Sequence, residues 1–219
     1  MNSAPQQHEQ KFPAGLFTAQ VPSRDTIRRI HRIQAITVIW MSVEAVVSLS
    51  AAWQARSPAL LAFGGDSAVE LLSAAVVWWR FSTPVAHSHV ERRTAHVAGA
   101  LLLLLAAYVA LVSAMTLMGY NEPRPSYVGI IILAAAAALM PWLAKEKQKL
   151  SAATGSAALR ADAAQSGLCA YLSLVALAGL GANAIWHVTW ADPVAALVVI
   201  PLVLWEGKEA LRGKACGCC

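Results

Sequence analysis

Charge is what this chain has least of. Of its 219 residues only 13% are Asp, Glu, Lys or Arg, while 58% are apolar, too little charge to cover a large water-soluble domain. The first 25 residues lack the continuous apolar core of a secretory signal, since Leu16, Phe17 and Val21 stand isolated, and they read as a flexible cytosolic tail. No basic patch interleaved with aromatics accompanies the net charge of +5, which argues against nucleic acid as a partner. There is no internal repeat, and no serine–histidine or metal-hydrolase constellation, so the chain does not read as an enzyme. Cysteine is scarce as well: there are four, three of them in the last four positions.

What the chain has is long apolar runs. They fall at residues 33–52, 58–81, 94–118, 126–144, 157–181 and 193 to about 205, each close to the roughly 20 residues that a bilayer requires. The expectation is an all-α polytopic membrane protein with six transmembrane helices at 30–212. A flexible cytosolic tail (1–29) precedes them and a cysteine-rich cytosolic tail (213–219) follows. The sixth run is short, so its helix continues through Glu206, Lys208 and Arg212, whose long side chains snorkel to the headgroups. Ser57-Pro58 and Asp192-Pro193 each place a capping side chain before a proline suited to a first helical turn. The alanines at 134–138 invite close approach by a neighbouring helix.

The basic residues alternate along the chain. The amino-terminal stretch, the 2–3 and 4–5 connections and the carboxyl end hold 15 of the 17, leaving Arg56 and Arg124 for the other side. Because cytoplasmic segments retain positive charge, both termini are expected to be cytoplasmic, with the 1–2, 3–4 and 5–6 connections external. The expected setting is the lipid bilayer of a bacterial inner membrane.

Four acidic residues interrupt the apolar runs: Glu44, Asp66, Glu70 and Asp162. An ionised carboxylate at mid-bilayer costs roughly 2.5–3.5 kcal/mol even on insertion scales, so each requires a partner or an aqueous cavity. Asp66 and Glu70 are four apart, on one helix face, with no Arg or Lys nearby in sequence. A cation is one natural third party; protonated carboxyls hydrogen-bonded within the bundle are the other. In the fifth run Asp162, Gln165 and Cys169 form a narrow stripe of oxygen and sulfur donors. Spans crossing in opposite directions bring Asp66, Glu70, Gln165 and Cys169 to similar depth. A thiolate beside carboxylates favours zinc or cadmium over magnesium or calcium, whereas the plain alternative is a buried structural Cys169.

These residues resemble the transmembrane domain of the cation diffusion facilitator family, over roughly residues 30–213. The family carries acid-x-x-x-acid on its second span and His-x-x-x-Asp on its fifth. Asp66 and Glu70 match the first motif, and Leu159-Arg160-Ala161-Asp162 followed by Gln165 and Cys169 is similar to the second, with Gln165 in place of His and Cys169 in place of Asp. The Trp190-Ala191-Asp192-Pro193 entry to the sixth span is also similar. Asp162 and Glu44 are further candidates to complete the shell, because glutamine is a weak ligand. The resemblance implies a short member without the cytosolic metal-binding domain, dimerising, if at all, through its transmembrane helices.

Outside the membrane, Cys216, Cys218 and Cys219 form a candidate soft-metal capture arm, with palmitoylation or no role as alternatives. His87 and His89 are candidates for handing metal to the cytosolic entrance; simple solvation is the bland reading. The function expected is export of a divalent transition metal, zinc or cadmium, in exchange for protons, with no prosthetic group. A non-transporting metal sensor or accessory subunit, and a metal uptake protein, are the alternatives.

Overall fold

The computed structural model describes residues 24–82, 88–155 and 157–212. They form six α-helices: α1 (Arg24–Ala55), α2 (Pro58–Ser82), α3 (Ser88–Leu117), α4 (Tyr127–Thr154), α5 (Ala157–Trp186) and α6 (Ala191–Leu211). No strand occurs among the described residues. Each apolar run expected from the sequence coincides with one helix, but most helices run on into polar sequence. Thus α1 reaches back to Arg24, which makes 24–29 helical rather than tail, and α4 continues past Ala144 to Thr154. Among the described residues, four stretches are long and apolar enough to cross a membrane: Arg24–Ala55, His96–Leu117, Tyr127–Thr154 and Leu159–Trp186.

The helices pack chiefly as α4 on α5, α1 on α2 and α3 on α6, and α2 also touches α3, α5 and α6. That central position comes from small residues. A Cβ on Gly64 would lie 2.9 Å from the Ser48 Cβ of α1 and one on Gly65 2.6 Å from Leu105 of α3; between α3 and α6, one on Gly99 would lie 2.7 Å from the Gly207 carbonyl. In lipid, burying one more leucine gains little, so such close backbone approach and interhelical hydrogen bonds supply much of the association energy. The core is filled by Leu60, Phe63, Met41, Leu133, Met140 and Leu172, while Ile39, Leu104, Ile131, Leu174 and Val198 face outward. Of the alanine run, only Ala136 is fully buried.

The helix ends show how the sequence builds the connections. Ser57 caps α2 as expected, its Oγ accepting from the Leu60 N–H at 3.1 Å. Asp192 does something different from the expectation. It lies in the first turn of α6, whose N-cap residue Trp190 makes no side-chain bond, and caps α2 from across the bundle. Its carboxylate accepts from Ser57 Oγ at 2.5 Å and from the Ala59 N–H at 3.0 Å. The physical reason is register: α6 begins at Ala191, so Asp192 stands within its first turn and not at its N-cap, whereas the start of α2 presents free donors beside it. Ser126 caps α4 by accepting from the Gly129 N–H at 3.1 Å, and Asn183 of α5 donates to the Pro123 carbonyl at 3.1 Å.

Exposed aromatic residues collect at one end of the bundle, where Trp53, Tyr120, Tyr127, Trp186 and Trp190 flank the 1–2, 3–4 and 5–6 connections. Trp78, Trp79, Trp142 and Trp205 lie toward the opposite end. Two such groups are the arrangement favoured at the two faces of a bilayer.

Candidate metal centre

α2 presents Asp66 and Glu70 one turn apart, and Glu70 falls at the middle of that helix. α5 runs beside it and brings Cys169 to the same level. The ligand atoms of Asp66, Glu70 and Cys169 all lie within 4.8 Å of one another, and all three residues are buried. Three of the four donors anticipated from the sequence therefore converge in space.

Glu44 joins them from α1. Its Oε1 accepts from Ser67 Oγ at 2.6 Å and from Cys169 Sγ at 3.3 Å, and the residue is fully buried. Ser67 also donates to the Phe63 carbonyl at 2.9 Å. Glu44 thus contacts the thiol of the triad, and Ser67, between Asp66 and Glu70 in sequence, holds it there.

Glu206 of α6 is the residue that sequence reasoning missed. It was expected to snorkel outward with Lys208 and Arg212. Instead its Oε2 is buried without a hydrogen-bond partner, and its charge acts on both Asp66 and Glu70. Next to Glu206 in sequence, Gly207 lets α6 approach α3 closely at Gly99. The signal was available in the pattern of that segment, where an acid follows directly on an apolar run and so lies closer to mid-membrane than a headgroup anchor.

Two sequence candidates are engaged elsewhere. Gln165 donates its side-chain hydrogen bond to the Glu206 carboxylate. Asp162 belongs to a separate network: its Oδ1 accepts from Lys147 Nζ at 3.0 Å and its Oδ2 from Gln34 Nε2 at 2.7 Å. Lys147 donates as well to Ser166 Oγ at 2.9 Å, and its side chain is completely buried. Lys147 had been counted among the surface charges of a cytosolic connection. The extension of α4 past Ala144 places it in the interior, and an interior ammonium requires a carboxylate, which is why Asp162 pairs with Lys147. His87, Cys216, Cys218 and Cys219 lie outside the described residues, as does the side chain of His89.

The electrostatics of the triad follow from what is missing around it. Both oxygens of Asp66, one of Glu70, one of Glu44 and one of Glu206 are buried with no hydrogen-bond partner. Among the described residues, the positive charge acting on Glu70 is that of Lys147, and Lys147 is held by Asp162. Burying carboxylate oxygens without donors is costly, and their charge is compensated only by bound protons or by a cation. Two carboxylates and a thiol fit a divalent metal of intermediate softness, since hard oxygen donors alone also suit calcium or magnesium while sulfur does not. No family model matches this chain, and no curated protein matches it.

Proposed function

We propose that this chain is a six-span transporter that exports a divalent transition metal, zinc or cadmium, in exchange for protons. The convergence of Asp66, Glu70 and Cys169 within 4.8 Å, with unpartnered carboxylate oxygens turned into the bundle, is the observation that carries this reading. In the proposed topology both termini are cytoplasmic and Ser57, Asp192 and the 3–4 connection lie outside. The setting is the inner membrane of a bacterium, and two copies pair through their transmembrane helices.

The chemistry follows from the donors. A carboxylate or thiol ligates only after losing its proton, so metal entering the triad displaces protons and protons returning displace metal. Cys169 has a ready acceptor for its thiol proton, because Sγ already donates to Glu44 Oε1 at 3.3 Å. Alternating exposure of the triad to the two sides then couples metal movement outward to proton movement inward. α2, in contact with four other helices, carries two of the donors and lies where a rocking motion would change their access.

The test is proton flux in proteoliposomes made with the full chain, driven by a panel of divalent ions. Zinc and cadmium are expected to release protons on the side of metal entry, with magnesium and calcium inert. Flux that responds to none of the ions refutes the reading.

A further inference from the structure

Three donor residues leave a tetrahedral metal one short, and the glutamine expected to be the fourth is turned to another task. Gln165 spends its amide on Glu206. Glu206 then has one oxygen left, Oε2, buried and unpartnered, on a helix that packs against both α2 and α5. No cation pairs with Glu206 among the described residues; the neighbouring Arg212 pairs with Glu209 at 3.6 Å. Asp66, whose two oxygens are equally bare and which is 1% exposed, is among the groups on which Glu206 acts.

We infer that Glu206 is the fourth metal ligand, closing the Asp66–Glu70–Cys169 triad, and that Gln165 is a positioning residue that holds it in reserve. The inference rests on the metal-transport reading and deepens it. Glu44 is the competing candidate, since its Oε2 is also buried and bare, but its Oε1 accepts two hydrogen bonds, from Ser67 and from the Cys169 thiol, which hold it as the partner of a ligand, whereas Glu206 has one. Glu206 is held by a single amide and is not among the ligand atoms that converge within 4.8 Å, so the assignment requires its side chain to leave Gln165 when metal binds. The resulting shell of three carboxylates and one thiolate takes a divalent ion that tolerates both oxygen and sulfur, which zinc and cadmium do. An anionic ligand in place of a neutral amide raises affinity for a doubly charged ion.

The test uses the purified full chain in detergent, titrated calorimetrically with cadmium and with zinc, beside thermal unfolding without metal. Glu206→Gln is expected to weaken binding of both ions about tenfold or more while the metal-free protein unfolds at an equal or higher temperature, because an uncompensated charge has been removed. Gln165→Leu, which frees Glu206 but deletes no ligand, is expected to weaken binding less than Glu206→Gln does. Unchanged affinity in Glu206→Gln, or a larger loss in Gln165→Leu, overturns the assignment. If Glu206→Gln does not fold, Glu206→Asp carries the test: it keeps the charge, shortens the reach and is expected to weaken binding, and undiminished affinity overturns the inference. Wild-type protein that binds neither ion overturns the transport reading and this one together, whereas wild-type binding untouched by Glu206→Gln overturns this one alone.

Discussion

Two groups of buried charge occupy successive levels of the same bundle, and they are built on opposite terms. In the Lys147–Asp162 group every charge is answered: ammonium meets carboxylate at 3.0 Å, Gln34 donates to the second carboxylate oxygen, and Ser166 accepts from the lysine. In the Asp66–Glu70–Cys169 group the oxygens are bare and the neighbours, Glu44 and Glu206, carry the same sign. Counting residues from the start of α2 and the end of α5, Glu70 and Cys169 lie roughly 18 to 25 Å from the end with the short connections, and Asp162 roughly 36 Å from it. The comparison separates what a buried charge does for structure from what it does for function. A satisfied pair ties α1, α4 and α5 together. An unsatisfied cluster is a cost to the fold, and in the proposed function that cost is the condition for binding a cation.

Removing charge from the two groups is therefore expected to act in opposite directions. The largest effect is expected from Asp66→Asn combined with Glu70→Gln, which should abolish metal-driven proton flux in proteoliposomes while leaving the thermal midpoint in detergent unchanged or raised. Wild-type flux in that double variant, or a large drop in its midpoint, would erase the distinction between the groups. Next comes Lys147→Met, which leaves Asp162 buried without a counter-charge and should destabilise the protein by about 3–5 kcal/mol. Adding Asp162→Leu removes the stranded carboxylate and is expected to recover most of that loss in equilibrium unfolding. A double variant as unstable as Lys147→Met alone would mean that the pair holds the helices by shape and not by charge.

The smallest expected effect sharpens the chemistry of the unsatisfied group. Cys169→Asp hardens the donor set and should shift preference from cadmium toward zinc by about tenfold, roughly 1.4 kcal/mol of differential affinity. Competition between the two ions in binding measurements reads this directly, and an unchanged ratio would reduce Cys169 to a packed side chain.

The architecture was legible because apolar length is a local property. A run of about 20 apolar residues has few alternatives to a helix, and all six runs became helices. The pair Asp66 and Glu70 was legible for the same reason, since four-residue spacing fixes a shared face within one helix. The proximity of Cys169 to that pair was legible from its position along the fifth run. Helix ends were less legible: Lys145 to Lys149 look like a loop in a hydropathy profile, but the helix continues through them to its cap at Gly155, which holds φ at 65°. That continuation is what buries Lys147.

Partner choice was decided by tertiary structure alone. Asp162, Gln165, Glu206 and Asp192 each present the same chemistry in the sequence that they present in the fold, yet none has the partner its position implied. Asp162 takes Lys147, 15 residues away; Gln165 takes Glu206; Asp192 caps a helix that begins 134 residues earlier. By itself the sequence determined which segments enter the apolar phase and which faces carry acids, because those depend on spacing within a single helix. Which acids are neutralised and which are left bare depends on how helices are rotated and pressed together. Close contacts such as Gly64 against Ser48 and Gly99 against Gly207 set that rotation, and no local pattern encodes it.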